Sequence, residues 1–330
     1  MTFRVDAVQT YMTSTTGLEL DQAAFTASVE RHRRELHVHC YRMLGSFEES
    51  EDLVQETFLR AWRRRGTLQS RSALRAWLYK IATNACLDAL DKRPRTASPS
   101  GEVPWLQPYP DELLDELADE GEDPAASVLA KETIELAYLV AIQRLVPLQR
   151  AVLILRDALG CSARETADVL DTTVPAVNSA LQRAHAAMQQ HLPQERAEWA
   201  PGTDATAAER ELLERYVAHT ETPDPDALKR LLSQDVRFSM PPYPGLWEGR
   251  DTVVDGWVSG GFGSEAFGSM RCVVTRANRQ PALACYVRHP GVDHASPMAL
   301  DVLRIVDGAI AEIITFDGSV FGWLGLPDRL

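Results

Sequence analysis

The sequence contains no apolar run long enough to cross a membrane and no cysteine pattern typical of a metal site. A transmembrane helix needs roughly 18–20 consecutive apolar residues, and no stretch reaches that length. Residues 1–21 lack the basic and apolar segments of a secretory signal. The five cysteines are scattered and form no CxxC pair, which favours free thiols in the cytoplasm. We therefore expect a cytoplasmic protein that carries no metal and no other cofactor.

Basic residues are also scarce, and their distribution is uneven. Against 34 Lys and Arg stand 47 Asp and Glu, a net charge of −13 that on average argues against a nucleic-acid ligand. However, residues 22–95 carry 14 basic and 9 acidic side chains, whereas residues 96–135 carry 1 and 11. At 330 residues the chain is long enough for two or three domains. The charge pattern indicates that these domains have different functions.

Residues 52–65 predict an amphipathic helix in the basic segment. Val54, Phe58 and Trp62 recur at i, i+4 and i+8 and form one apolar face. The opposite face carries Asp52, Gln55 and Glu56. On this segment alone, a solvated helix surface and a protein contact are both compatible with the pattern.

Residues 72–91 predict a second helix, with Ser72 as its N-cap. One face carries Trp77, Lys80, Asn84 and Asp88. An aromatic ring beside a cation and an amide suits single-stranded nucleic acid, since bases stack on the ring and phosphates meet the cation. The alternative is an ordinary helix with one tryptophan at the edge of its core.

The two helices together resemble region 2 of bacterial sigma-70 family factors, above all the small extracytoplasmic-function subfamily. The resemblance is carried by HCYRMLGS (39–46), DLVQETFLRAWRR (52–64) and ALRAWLYKIATNACLDALDKRPR (73–95). In that family, the first helix docks on the clamp helices of the polymerase β′ subunit, which implies this role for Asp52, Gln55 and Glu56. The second helix and the loop after it recognise and melt the −10 promoter element. The resemblance implies −10 DNA contacts for Trp77, Lys80, Asn84, Asp88, Arg93 and Arg95.

Residues 147–190 predict a helix-turn-helix. Ser162 and Glu165 form a capping box that opens a short helix, and a longer helix starts at 174. Ala167 and Val177 occupy the small and apolar packing positions of the motif. The outward residues of the second helix are Asn178, Ser179, Gln182 and Arg183, which suit bases and phosphates. Its place after region 2 resembles that of sigma region 4, which implies contacts with the −35 element and the β flap.

The acidic segment between these parts predicts a linker at residues 96–124, because Pro and Gly interrupt it. In sigma factors this linker threads the polymerase cleft. We hypothesise that Asp111, Glu112, Asp115 and Glu116 mimic nucleic acid there, although a purely solvated linker is the alternative. Residues 1–21 predict a disordered N-terminus, and residues 193–206 predict a second linker.

Residues 207–330 predict three helices and a curved antiparallel sheet, an α+β cone. Asp307-Gly308 is a two-residue hairpin signal between its last strands. VRFSMPPYPGLWEGRD (236–251), TRANRQPALACYVR (275–288) and IAEIITFDGSVFGWLGLP (310–327) resemble the SnoaL-like members of the NTF2-like superfamily that are fused to some sigma factors. Such cones enclose a pocket, whose expected lining is Met240, Trp247, Trp257, Tyr286 and Asp317.

We therefore predict a multidomain sigma factor, with all-α region 2 at 22–95, helix-turn-helix region 4 at 125–192 and a SnoaL-like domain at 207–330. It binds core polymerase, recognises the −35 and −10 elements and initiates transcription. The C-terminal domain is expected to regulate in cis by contacting region 2, region 4 or the linker, without catalysis, and its pocket could take an unknown small ligand. The alternatives are a helix-turn-helix regulator independent of polymerase, and a DNA-binding module fused to a small-molecule-binding or isomerase-like domain.

Overall fold

The computed structural model describes residues 22–93, 103–119, 134–191 and 206–330. The predicted disordered N-terminus, parts of both predicted linkers and Arg95 lie outside these ranges. Within the described ranges, no helix is both long and apolar enough to span a membrane.

The first segment, residues 22–93, is the helical block. Its helices are α1 (Gln22–Glu30), α2 (Arg33–Leu44), α3 (Phe47–Arg64) and α4 (Leu74–Lys92). Helix α2 is the central element, because every residue from Leu36 to Leu44 is buried. Gly45 ends it with a positive φ of 73°, and Ser46 caps α3 by accepting the backbone N–H of Glu49. The predicted N-cap Ser72 is wrong, because a 3₁₀ turn at Arg71–Ala73 precedes α4.

The connector, residues 103–119, holds α5 (Asp111–Asp119), and the helix-turn-helix block covers residues 134–191. The block contains α6 (Leu136–Gln143), α7 (Pro147–Leu153), α8 (Ala163–Val169) and α9 (Val174–His191). Helix α7 continues as a π-helix at Ile154–Ala158, which the periodicity did not predict. The capping box of Ser162 and Glu165 is present at the start of α8. Ala167 packs in one small core with Val177 and Ala180.

The C-terminal domain, residues 206–330, is an α+β cone. It consists of α10 (Ala207–Glu221), α11 (Pro225–Leu231), β1 (Leu232–Met240), β2 (Tyr243–Glu248), α12 (Arg250–Ser259), β3 (Ser269–Ala277), β4 (Gln280–Arg288), β5 (Ser296–Val306) and β6 (Ala309–Asp317). The sheet order is β2-β1-β6-β5-β4-β3. The sheet is mixed, not purely antiparallel as predicted, because β1 pairs with β6 in parallel. Strand β2 was not predicted.

The two faces of this sheet have different neighbours. One face, which carries Leu283 of β4 and Leu303 of β5, packs against the three helices of the domain. The other face carries Leu300 and Val302, which belong to the same apolar core as the helical block. Side chains alternate along a strand, so neighbouring residues of β4 and β5 face these two environments in turn. The sheet is therefore a wall between the interior of the cone and the helical block.

Candidate nucleic-acid interface

The outer face of α3 is polar and exposed. Asp52 and Gln55 are exposed, and Glu56 is half-buried because it accepts a 2.8 Å hydrogen bond from Arg60. Leu59 lies one turn further along the same face and is 52% exposed. An exposed leucine beside carboxylates and an amide suits docking to another protein, since such a contact would bury its apolar surface.

The residues predicted to meet −10 DNA share one face of α4, and several already have partners within the chain. Lys80 Nζ donates to Asp171 Oδ1 at 2.6 Å and to the backbone oxygen of Asp168 at 2.7 Å. Both partners belong to the end of α8 and the turn of the helix-turn-helix. Asp88 accepts from Arg60 at 2.8 Å. Trp77 and Asn84 are half-buried, and the Trp77 ring packs against the apolar core.

Arg93 follows the last turn of α4 and is also engaged. Its guanidinium pairs with Glu49, donates to the Leu44 carbonyl at 3.2 Å and lies 4.9 Å from the centre of the Trp105 ring. These contacts tie the end of α4 to the α2–α3 junction and to the connector. A phosphate contact by Arg93 would therefore compete with an ion pair inside the helical block.

The four predicted −35 residues lie together on the exposed side of α9. Asn178, Ser179, Gln182 and Arg183 are all exposed. The opposite side of α9 carries the buried residues of the small core, so the orientation of the helix is determined by packing. The turn before it contains Asp171 with a φ of 48°, a left-handed conformation that aspartate tolerates. This side is accessible to a major groove.

The tip of the β3–β4 hairpin joins the C-terminal domain to three other segments; the sequence predicted contact with region 2, region 4 or the linker, but not that this hairpin would make it. Asn278 is fully buried, with a φ of 55°. Its Oδ1 accepts from the Tyr109 backbone N–H at 2.8 Å. Its Nδ2 donates to Tyr41 Oη at 2.9 Å and to the Ile134 carbonyl at 2.7 Å. One amide thus bridges α2, the connector and the start of the helix-turn-helix block.

Charges reinforce this junction. Asp111 Oδ1 accepts from the backbone N–H of Arg279 at 2.7 Å, and its Oδ2 accepts from Arg276 at 3.2 Å. Arg279 also pairs with Asp115. Burial raises the pKa of Asp111, and these arginine contacts act in the opposite direction. Two of the connector acids proposed as nucleic-acid mimics are therefore bound to the C-terminal domain in this arrangement.

Connector residues also hold onto the α2–α3 junction. Gln107 N–H donates to the Gly45 carbonyl at 2.9 Å, and Gln107 Oε1 accepts from Ser46 Oγ at 2.8 Å. At the first residue of α3, the ring of Phe47 stacks on the ring of Trp323 in the C-terminal domain. The ring centroids are 5.6 Å apart and the ring planes are at 9° to each other. The connector is thus packed between the helical block and the cone.

The cone encloses a cavity of about 410 Å³ beneath α10 and α12. Met240, Trp247, Trp257 and Asp317 line it. Tyr286 does not, which corrects the prediction. It lies on the opposite face of β4, packs edge-on against Phe321 and donates to the Pro327 carbonyl.

The half-buried acid in the cavity wall is Asp301, which the sequence did not predict. Asp301 accepts a 2.6 Å hydrogen bond from Thr315 Oγ1 and a 3.2 Å one from Tyr216 Oη. Burial raises its pKa. The sequence feature that could have indicated this acid is a single carboxylate within the apolar strand sequence MALDVL (298–303). Asp317 is instead exposed and accepts from the backbone N–H of Ser319.

Comparisons with known proteins agree with the architecture. The model of sigma-70 region 2 matches residues 28–96, and that of sigma-70 region 4 matches residues 135–188. These modules, with an exposed face on α9 and a cationic, aromatic face on α4, define an RNA polymerase sigma factor. The ECF RNA polymerase sigma factor SigG of Mycobacterium tuberculosis is 40% identical over 93% of this chain and 85% of its own. The chain therefore belongs to the extracytoplasmic-function subfamily of the sigma-70 family.

Two further relatives differ in how much of the chain they match. SigW of Bacillus subtilis is 28% identical over 52% of this chain and 90% of its own. The crystal structure of M. tuberculosis SigJ superposes with a TM-score of 0.60 at 25% identity, covering 92% of this chain and 99% of that one. The SigJ match extends over the helical regions and the C-terminal SnoaL-like domain.

Proposed function

We propose that the C-terminal domain regulates this sigma factor in cis by stabilising a closed arrangement of the promoter-binding regions. The observation that carries the proposal is the buried amide of Asn278, which binds α2, the connector and the helix-turn-helix block at once. A domain that only followed the sigma regions on a linker would not need such a junction.

The closed arrangement bears directly on DNA binding. Lys80 belongs to the face proposed to meet the −10 element, and its ammonium group is bound by the helix-turn-helix turn. Single-stranded promoter DNA would have to replace these contacts. The two promoter elements are read at separate places on DNA, so α4 and α9 must move apart before both can bind. Core polymerase would drive this separation by binding the exposed face of α3.

The proposed roles follow the exposed faces. Asp52, Gln55 and Glu56 contact the polymerase β′ clamp helices. Trp77, Lys80, Asn84, Asp88, Arg93 and Arg95 contact the −10 element. Asn178, Ser179, Gln182 and Arg183 contact the −35 element, and the helix-turn-helix block contacts the β flap. The C-terminal domain serves regulation and not catalysis, because the amide of Asn278 holds it against α2, the connector and the helix-turn-helix block at once.

Run-off transcription with purified core polymerase on genomic fragments tests the proposal. The full chain is compared with Asn278→Ala and with a chain ending after Leu192. We expect both changes to raise promoter-dependent transcription when polymerase is limiting. The control is Asp293→Asn, at an exposed residue whose side chain forms a 2.8 Å hydrogen bond with its neighbour His294. Equal activity of all four proteins would refute regulation in cis, and failure to bind core polymerase would favour a polymerase-independent regulator.

A further inference from the structure

The cavity of the C-terminal domain is lined by aromatic and acidic side chains, and regulation in cis does not require it. Its volume of about 410 Å³ falls within the roughly 300–1,000 Å³ typical of small-molecule sites. Five aromatic rings line it in a continuous row: Trp247, Phe238, Trp257, Phe262 and Phe267. Neighbouring centroids in this row are between 5.5 and 6.5 Å apart. These rings form an apolar surface along one side of the cavity.

The charges of the cavity have one sign. Among the described residues that line it, the only charged ones are Asp301 and Asp317. Asp301 lies in the wall formed by β5 and is bound only by neutral hydroxyls, and Asp317 is exposed at the end of β6. In the described ranges neither carboxylate forms an ion pair. A buried carboxylate without a countercharge is costly, and two hydroxyl donors leave further lone pairs of Asp301 available.

We propose that this cavity binds a lipophilic organic cation, with an ammonium group beside Asp301 and an apolar ring or acyl body against the aromatic row. A cation supplies the missing countercharge and is attracted by the faces of aromatic rings. An anionic ligand would instead meet two carboxylates. A neutral ligand would fill the volume but leave the carboxylate unpaired. This inference concerns binding alone and does not depend on regulation in cis.

Binding is measured by titration calorimetry on the full chain without polymerase, so that the result is separate from any effect on transcription. Three probes share one apolar body and differ in charge: adamantylmethylammonium, adamantanemethanol and adamantanecarboxylate. We expect the ammonium probe to bind at least tenfold more tightly than the alcohol, and the carboxylate to bind weakest. Absence of binding by the ammonium probe, or equal affinity of ammonium and alcohol, would overturn the proposal.

Two substitutions locate the site. Asp301→Asn keeps the shape of the side chain and removes its charge, and should reduce the preference for ammonium over alcohol to less than about threefold. Met298→Trp fills the cavity and should weaken all three probes. Asp293→Asn lies outside the cavity and should change nothing. An unchanged preference in Asp301→Asn would overturn the proposal. If that variant does not fold, tight ammonium binding that persists in Met298→Trp would overturn it instead.

The pH dependence gives a further test. Because the cation favours the ionised carboxylate, ammonium affinity should rise with pH through the pKa of Asp301, whereas alcohol affinity should not. The other titratable groups facing Asp301 are Tyr216 and Cys285. Burial raises the pKa of Tyr216, and contact with the Cys272 thiol together with burial raises that of Cys285, so both stay neutral. The same measurement on Asp317→Asn shows whether the second carboxylate contributes to the affinity for the ammonium probe. An ammonium affinity that falls as pH rises would contradict the proposal.

Discussion

Replacing Asn278 by alanine should destabilise the closed arrangement more than any other single change at the hairpin tip. The substitution removes three hydrogen bonds and leaves the N–H of Tyr109 and the carbonyl of Ile134 buried without them. At the low end of about 1 kcal/mol for each lost partner, this amounts to about 3 kcal/mol. Alanine at a φ of 55° adds about 1 kcal/mol of backbone strain. The expected loss is therefore about 4 kcal/mol.

Two comparisons separate the amide contacts from the strain. Asn278→Gly loses the same hydrogen bonds without a left-handed penalty and should cost about 3 kcal/mol. Asp307 is an exposed turn residue with a φ of 49°, so Asp307→Ala carries similar strain without buried partners and should cost about 1 kcal/mol. Urea unfolding of the full chain gives the free energies, and amide hydrogen exchange at residues 37–45 and 103–110 shows whether the junction opens. A cost for Asn278→Ala no greater than that for Asp307→Ala would refute the reasoning.

Three further predictions concern single contacts. Asp171→Asn removes the ion pair of Lys80 at a cost below about 1 kcal/mol, since the pair is partly exposed, and should increase binding of −10 single strands by the free protein in a fluorescence-anisotropy assay; unchanged binding would show that the pair does not block this face. Burial lowers the pKa of His37 to about 4 and that of His39 to about 3, below an unfolded value near 6.5, so the folded state binds fewer protons. Stability should therefore fall by about 4 kcal/mol between pH 7 and 5, about half from each histidine, and His37→Gln should halve this slope in pH-dependent urea unfolding. Trp323→Ala removes the ring stacked on Phe47 and should lower the stability of the full chain by about 2 kcal/mol in thermal unfolding, whereas alanine at Tyr243, which is 61% exposed, should change it by less than about 0.5 kcal/mol.

Local patterns predicted most of the helices and most strands of this protein, but not α5, which lies in the segment predicted as a linker. The capping box at Ser162 and the turn at Asp171 depend on neighbouring residues, so the sequence alone predicts them. The parallel pairing of β1 with β6 was not predictable in this way, because these neighbouring strands are separated in sequence by α12 and the four other strands. Strand β2 has no clear alternation, since its exposed residues outnumber its partly buried ones.

The residues of the candidate sites were likewise predicted where they depend on local sequence and missed where they depend on distant contacts. The sets on α4 and α9 that are predicted to contact DNA follow from helical periodicity and family resemblance, and the structure places the described members on these helices, with Arg93 directly after α4. Tyr286 was misplaced because periodicity shows that a strand alternates but not which face encloses a cavity. Asn278 was missed because its partners lie as far as 237 residues away in sequence, and Asp301 because an acid within a strand is more often solvated.

The long separation between Asn278 and Tyr41 has a consequence for the newly made chain. Ribosomes add about 5–20 residues per second, so the 237 residues between these partners take about 12–50 seconds to synthesise. For roughly the last third of that interval, once residue 191 has been added, the helical block and the helix-turn-helix block are complete, but the hairpin that joins them does not yet exist. A nascent chain therefore passes through a period in which its promoter-binding regions are not restrained by the cone, and polymerase present near the ribosome would meet the factor before it can close.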